Sequence, residues 1–107
     1  MTFPKNTLFS EEDKVISRIS FALSHPARLF IARTLWDSGP KYVLELQDMM
    51  PLTQGSISFH LSKMRAEGLV NVSEEGLYNQ YSIDEERLFE TAKIYEQWYA
   101  SFRLGRK

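Results

Sequence analysis

The sequence contains no cysteine. That absence excludes disulfides, thiolate metal sites and thiol-based redox sensing. Histidine is almost as scarce, with only His25 and His60. The five glycines stand singly, so no glycine-rich phosphate-binding loop is present. No apolar run approaches the roughly 20 residues of a membrane span. The first residues, MTFPKNTLFSEEDK, lack the apolar core of about 7–15 residues that a signal peptide needs. The expectation is a cytoplasmic chain with no membrane partner. Basic charge is also short: 13 Lys and Arg stand against 14 Asp and Glu, a net charge of −1. Residues 1–41 carry +2. Residues 42–83 carry −3, with Lys63 and Arg65 against Glu45, Asp48, Glu67, Glu74 and Glu75. Residues 84–107 balance. Any polyanion this chain binds must therefore be met by a few well-placed cations.

What is present is ordinary for one globular domain: 107 residues, 43% hydrophobic and 25% charged. A core this small gains from oligomerisation. Catalytic constellations are missing. Ser58 and His60 lie two residues apart on one helix, so their side chains diverge by about 200° and cannot form a nucleophile–base pair. The carboxylates are scattered over helix surfaces. No enzyme is expected.

Taken in order, residues 1–9 read as an arm that packs Phe3, Leu8 or Phe9. Ser10-Glu11-Glu12-Asp13 reads as an N-cap with acids in the first turn, where the helix dipole favours them. The helix it opens, about 11–23, has Val15, Ile16, Ile19 and Leu23 on its apolar face. Pro26 suits the first position of a second helix that ends at Asp37, with Ser24 or His25 as its cap. His25 is read as a capping or surface residue. Tyr42-Val43 is a candidate short strand pairing with the wing. A third helix, about Val43 to Met50, should turn Leu44, Leu46 and Met49 inward before Pro51 stops it.

The stretch PLTQGSISFHLSKMRAEGLVNV, Pro51 to Val72, organises the chain. Thr53 is a good N-cap. Ile57, Leu61 and Met64 recur at i, i+4 and i+7 and should be buried. The opposite face presents Gly55, Ser56, Phe59, Ser62 and Lys63, mostly small, hydroxyl-bearing or cationic. Gly68 ends the helix in the left-handed conformation. Leu69–Ser73 and Tyr78–Ile83 then read as two strands around Glu74-Glu75-Gly76-Leu77, a hairpin signal. Asp84 caps a last helix to about Leu104. Along it Leu88, Ala92, Tyr95, Tyr99 and Phe102 repeat at alternating spacings of four and three, a heptad seam. Phe89, Ile94 and Trp98 widen it. Such a helix needs more than its own domain to cover it, and its aromatic content fits an interface.

The run TQGSISFHLSKMRAEGLVNVSEEGLYNQYSI resembles the recognition helix and wing of the ArsR/SmtB winged-helix repressors. It matches at Thr53, Gln54, Ile57, Ser58, His60, Leu61, Met64, Gly68, Leu69 and Val70. Upstream, ALSHPARLFIARTL, Ala22 to Leu35, resembles the same family's second helix, including Arg28 after the proline. The resemblance implies a mainly α fold with a small β-hairpin, a winged helix-turn-helix of about five helices. It implies one DNA-binding domain over 1–107. Its recognition helix covers about 53–67, its wing about 69–83, and its dimerisation helices about 11–23 and 85–104.

The function implied is that of a homodimeric, sequence-specific transcriptional regulator, a repressor binding a palindromic operator through the major groove of double-stranded DNA. Gln54, Gly55, Ser56, Ser58, Phe59, Ser62, Lys63, Tyr78 and Asn79 would contact DNA. Leu88, Ala92, Tyr95, Trp98, Tyr99 and Phe102 would form the dimer seam. The acids Glu74 and Glu75 depart from the basic wings common in the family. They keep open an alternative, a winged-helix protein-interaction or adaptor module with weak DNA binding. The family's thiolate metal site falls here on Val43-Leu44-Glu45-Leu46, without sulfur. The last helix, where its other site lies, has no histidine. Neither a metal nor another cofactor is expected, and the effector is left open.

Overall fold

The computed structural model describes residues 8–74 and 76–105. Five helices and three short strands follow one another: α1 (Glu11–Ala22), α2 (Pro26–Ser38), β1 (Lys41–Tyr42), α3 (Val43–Met49), α4 (Gln54–Ala66), β2 (Val70–Ser73), β3 (Gln80–Ile83) and α5 (Glu85–Gly105). Four helices open on a side chain that takes up a first-turn N–H the helix leaves unpaired. Ser10 Oγ accepts from the Asp13 amide at 3.0 Å. His25 Nδ1 accepts from Ala27 at 3.0 Å. Thr53 Oγ1 accepts from Ser56 at 3.1 Å, and Asp84 Oδ1 from Arg87 at 2.9 Å. Of the two caps open for α2, His25 is the one used, with Pro26 at the first helical position.

The stop of α4 is a Schellman motif. The Leu69 amide returns to the Met64 carbonyl at 3.0 Å and the Gly68 amide to Arg65 at 2.9 Å. Gly68 sits at φ 75°, a conformation that a side chain would strain. Leu69 thus belongs to the helix stop rather than to the strand expected over 69–73. β3 lies between β1 and β2, antiparallel to both. It begins at Gln80, so Tyr78 and Asn79 lie in the hairpin loop instead of the strand expected over 78–83.

The core gathers Ala22 of α1, Ile31 and Leu35 of α2, Leu46 of α3, Ile57, Leu61 and Met64 of α4, and Leu69 and Val70 at the start of the wing. The apolar faces expected for α1 and α4 are the faces that pack. The face expected for α3 is not. Leu46 is fully buried, but Leu44 and Met49 are 52% and 47% exposed, and Met50 is buried instead. A helix of seven residues buries one narrow stripe, here Val43, Leu46 and Met50 at i, i+3 and i+7.

The last helix also divides its seam. Leu88, Tyr95 and Trp98 are half-buried against their own chain. Tyr95 Oη lies 2.6 Å from Ser20 Oγ, and Trp98 Nε1 donates to Asp13 Oδ1 at 3.0 Å, both on α1. Ala92, Tyr99 and Phe102 remain exposed, as do all residues from 99 to 105. In the arm, Leu8 and Phe9 are exposed rather than packed; Phe3 and the wing residue Glu75 lie outside the described residues.

Candidate nucleic-acid interface

α3, the turn at Met50–Thr53 and α4 form a helix-turn-helix. α4 divides cleanly. Ile57, His60, Leu61 and Met64 are buried, while Gln54, Gly55, Ser56, Ser58, Phe59 and Ser62 face outward and Lys63 is half-buried. A Cβ built on Gly55 would meet nothing closer than Thr53 Oγ1 at 4.0 Å. Packing does not demand glycine there, and its bareness leaves room for close approach to another surface. Phe59 is 54% exposed. Its ring meets the His60 ring edge-on at 6.1 Å and has the Lys63 ammonium 5.0 Å from its centroid. It thus stands on the outer face, without entering the core. The Ser62 hydroxyl donates to the Phe59 carbonyl at 2.6 Å, which leaves its oxygen as an acceptor only.

Not all the expected site residues meet. Gln54 and Ser58 line a cleft of about 510 Å³ together with Tyr78 and Asn79 of the wing. Gly55, Ser56, Phe59, Ser62 and Lys63 lie outside that cleft, along the rest of the outward face. Sequence reasoning missed Tyr42, Leu44 and Leu77, which line the same cleft. Tyr42 packs edge-on to Tyr78 at 6.5 Å. Of the three α3 residues expected to point inward, Leu44 is the one that instead lines this cleft beside the wing.

The other unforeseen feature is a buried strut. Arg28 is 4% exposed and has no carboxylate partner among the described residues. Its Nε donates to His60 Nδ1 at 3.0 Å, its Nη1 to the Phe21 carbonyl, and its guanidinium lies 5.0 Å from the Phe21 ring centroid. The carbonyl is at the C-terminal end of α1, where the helix dipole favours a cation. His25 stacks on His60 at 4.5 Å. Burial first, then His25 and Arg28, lower the pKa of His60 below 6.5 and keep it neutral, as its acceptor role requires. Held at its middle by Arg28, α4 is pinned at its C-terminal end too. Arg18 of α1 pairs with Glu67 at 3.3 Å, and Arg87 Nε of α5 donates to the Glu67 carbonyl at 2.9 Å. His25 and His60 are 35 positions apart, so no local spacing announced the pair; the only sequence signal was that Arg28 and His60 both fall on matched motif positions.

A polar-faced helix docked across a short turn, followed by an antiparallel wing, defines a winged helix-turn-helix DNA-binding regulator. The chain belongs to the ArsR family of transcriptional regulators. Residues 25–72 match the family model described as bacterial regulatory protein, arsR family. An uncharacterized HTH-type transcriptional regulator of Methanocaldococcus jannaschii is 30% identical over 87 residues, covering 81% of this chain and 98% of that protein. Among solved structures, an ArsR-like transcriptional regulator from Rhodococcus sp. RHA1 superposes with a TM-score of 0.72 at 26% identity, over 86% of this chain and 88% of that one. The transcriptional repressor BigR from Xylella fastidiosa shares the fold, with a TM-score of 0.62 at 22% identity over 98% and 99% of the two chains. The expected fold class, mainly α with a small β-hairpin and five helices, is the one found, and the short strand expected to pair with the wing at Tyr42-Val43 does so one residue earlier, as β1.

Proposed function

We propose that this regulator acts as a homodimeric repressor that reads a palindromic operator with α4 in the major groove. The observation that carries the reading is the outward face of α4, exposed from Gln54 to Ser62 and polar or small apart from Phe59, above a packed underside. Phe59 packs on a thymine methyl group, an apolar base contact. Gln54, Ser56 and Ser58 hydrogen-bond base edges or phosphates, and Ser62 accepts. Gly55 permits close approach, Lys63 meets a phosphate, and Tyr78 and Asn79 reach the flanking backbone. Dimerisation is supported by the free end of α5. Its exposed Tyr99 and Phe102 gain roughly 2 kcal/mol per ring when a second copy covers them. Leu88, Tyr95 and Trp98 sit behind this seam on α5, with Tyr95 and Trp98 tied to α1, and Ala92 allows the helices to close. Repression then needs no further activity, because an occupied operator excludes polymerase.

The signal it answers is not a transition metal. The sequence has no cysteine, and both histidines already use Nδ1 as a hydrogen-bond acceptor within the fold. Nor does the reading require catalysis. One observation favours a second reading, a protein-binding or adaptor module with weak DNA affinity: Leu77, on the wing two residues past Glu75, is 94% exposed. Selection of bound fragments from a random DNA pool separates the two. The repressor enriches a two-fold symmetric site with half-sites about one helical turn apart, roughly 10 base pairs. If no sequence is enriched even at low salt, the module reading replaces it.

A further inference from the structure

A groove of about 640 Å³ runs between α2 and the N-terminal half of α5, within the roughly 300–1,000 Å³ of small-molecule sites. Leu29, Phe30 and Trp36 of α2 form one wall, and Leu88 and Phe89 of α5 the other. The Trp36 and Phe89 rings meet edge-on, centroids 5.7 Å apart, which ties the walls together at one point. Yet Leu29, Trp36 and Phe89 remain 54%, 45% and 55% exposed. A cluster of large apolar side chains left in water is a common mark of a binding surface. The same groove has a single ionisable lining residue, Arg33. Its guanidinium takes part in none of the ion pairs among the described residues, although Asp37 lies one turn further along α2. Aromatic walls beside one unspent cation are complementary to a flat apolar body with one negative group. They suit a second copy of the chain poorly. A two-fold contact presents the same patch from both sides, and this patch has no acid to meet Arg33.

We propose that the groove binds a small aromatic carboxylate, which acts as the effector of DNA binding. The proposal rests on the DNA-binding reading above for its second half only. The route of coupling is short. α2, one wall of the groove, also holds Arg28, whose side chain contacts His60 on α4 and the end of α1. α5, the other wall, holds the Glu67 carbonyl at the end of α4 through Arg87. A ligand seated between α2 and α5 therefore bears on both attachments of the reading helix.

The test uses the full chain with 2-naphthoate as probe and neutral 2-naphthalenemethanol as its control, by titration calorimetry. Naphthoate should bind more tightly than the alcohol. Arg33→Gln should weaken naphthoate by about tenfold and leave the alcohol unchanged, with the circular dichroism spectrum intact. Phe89→Ala should weaken both while leaving the sedimentation behaviour as in the wild type. Saturating naphthoate should change operator affinity about fivefold or more. The site is overturned if naphthoate does not bind below about 1 mM, or if Arg33→Gln leaves its affinity unchanged. It is also overturned if Phe89→Ala dissociates a dimer, which would make the groove a contact between copies. Binding without any change in operator affinity removes the effector role. The calorimetry needs no DNA, so the groove can fail while operator binding stands, and the reverse.

Discussion

Replacing His60 by phenylalanine removes the only side-chain acceptor that a buried arginine has among the described residues. His60 and Arg28 are 8% and 4% exposed, and no carboxylate balances the guanidinium among the described residues. A hydrogen bond to a charged group contributes about 1.5–3 kcal/mol, and a buried charge stripped of its partner costs about 3–5 kcal/mol. Arg28 keeps the Phe21 carbonyl and ring, so the expected loss for His60→Phe is about 3 kcal/mol. That is a large share of the roughly 5–15 kcal/mol holding a domain together. Arg28→Leu leaves His60 Nδ1 without a donor, and the double variant removes both orphans. The double variant should therefore lose less than the two singles added, with a coupling of about 1–2 kcal/mol. The pH dependence has a definite sign. His60 is held below 6.5 in the folded chain, so on acidification the unfolded chain takes up the proton first. Stability is full above 6.5 and falls as pH drops through the folded value. In His60→Phe that portion of the acid sensitivity should be missing. Urea unfolding followed by circular dichroism, at about pH 7.5 and about pH 5.5, measures all four proteins. Singles that add within about 0.5 kcal/mol, or a variant as acid-sensitive as the wild type, would refute the strut.

Four further outcomes are expected. Tyr99→Lys combined with Phe102→Lys should yield folded monomers in sedimentation where the wild type sediments as a dimer; a folded wild-type monomer at micromolar concentration would contradict the proposed assembly. Phe59→Ala should relax discrimination at one base pair by about 1 kcal/mol with little change in melting temperature, since the ring is largely in solvent. A loss of melting temperature with sequence preference intact would move Phe59 to the core. Lys63→Ala should weaken all DNA sequences alike and reduce the salt slope by about one unit, read from affinity at several salt concentrations. Gly68→Ala should cost about 1 kcal/mol of stability in denaturant unfolding, from backbone strain at φ 75° rather than from a clash, because the nearest atom to a new Cβ is Arg87 Cγ at 3.5 Å.

Where the sequence was legible, periodicity and caps were long enough to overdetermine the answer. α4 is an example: Thr53, the Ile57-Leu61-Met64 stripe and Gly68 all pointed to one helix, and its buried face followed. α3 was too short for that. Its seven residues allow more than one apolar stripe, and of the expected Leu44, Leu46 and Met49 only Leu46 is buried, joined by Met50. The seam of α5 was visible as a pattern, but the pattern cannot tell an intrachain neighbour from a second copy. Tyr95 and Trp98 reach α1 through polar tips, at Ser20 and Asp13, which apolar spacing does not register. In the candidate site the outward residues of α4 were readable because exposure follows from the helix period. The Arg28–His60 contact was not, because it joins two helices 32 positions apart through one bond.

The fixing of α4 by Arg18, Arg28 and Arg87 has a kinetic consequence. Arg28 and Arg87 are engaged within the fold and Arg18 pairs with Glu67 at the surface, and the segment from β1 to β3 itself carries only Lys41, Lys63 and Arg65 as cations. A regulator that clings to arbitrary DNA by charge travels along it for long distances before leaving. With so few cations on this segment, the regulator should touch the duplex briefly, release, and land elsewhere. Its search for the operator would then proceed by many short visits through solution, and the time needed would depend on protein copy number more than on the length of neighbouring DNA.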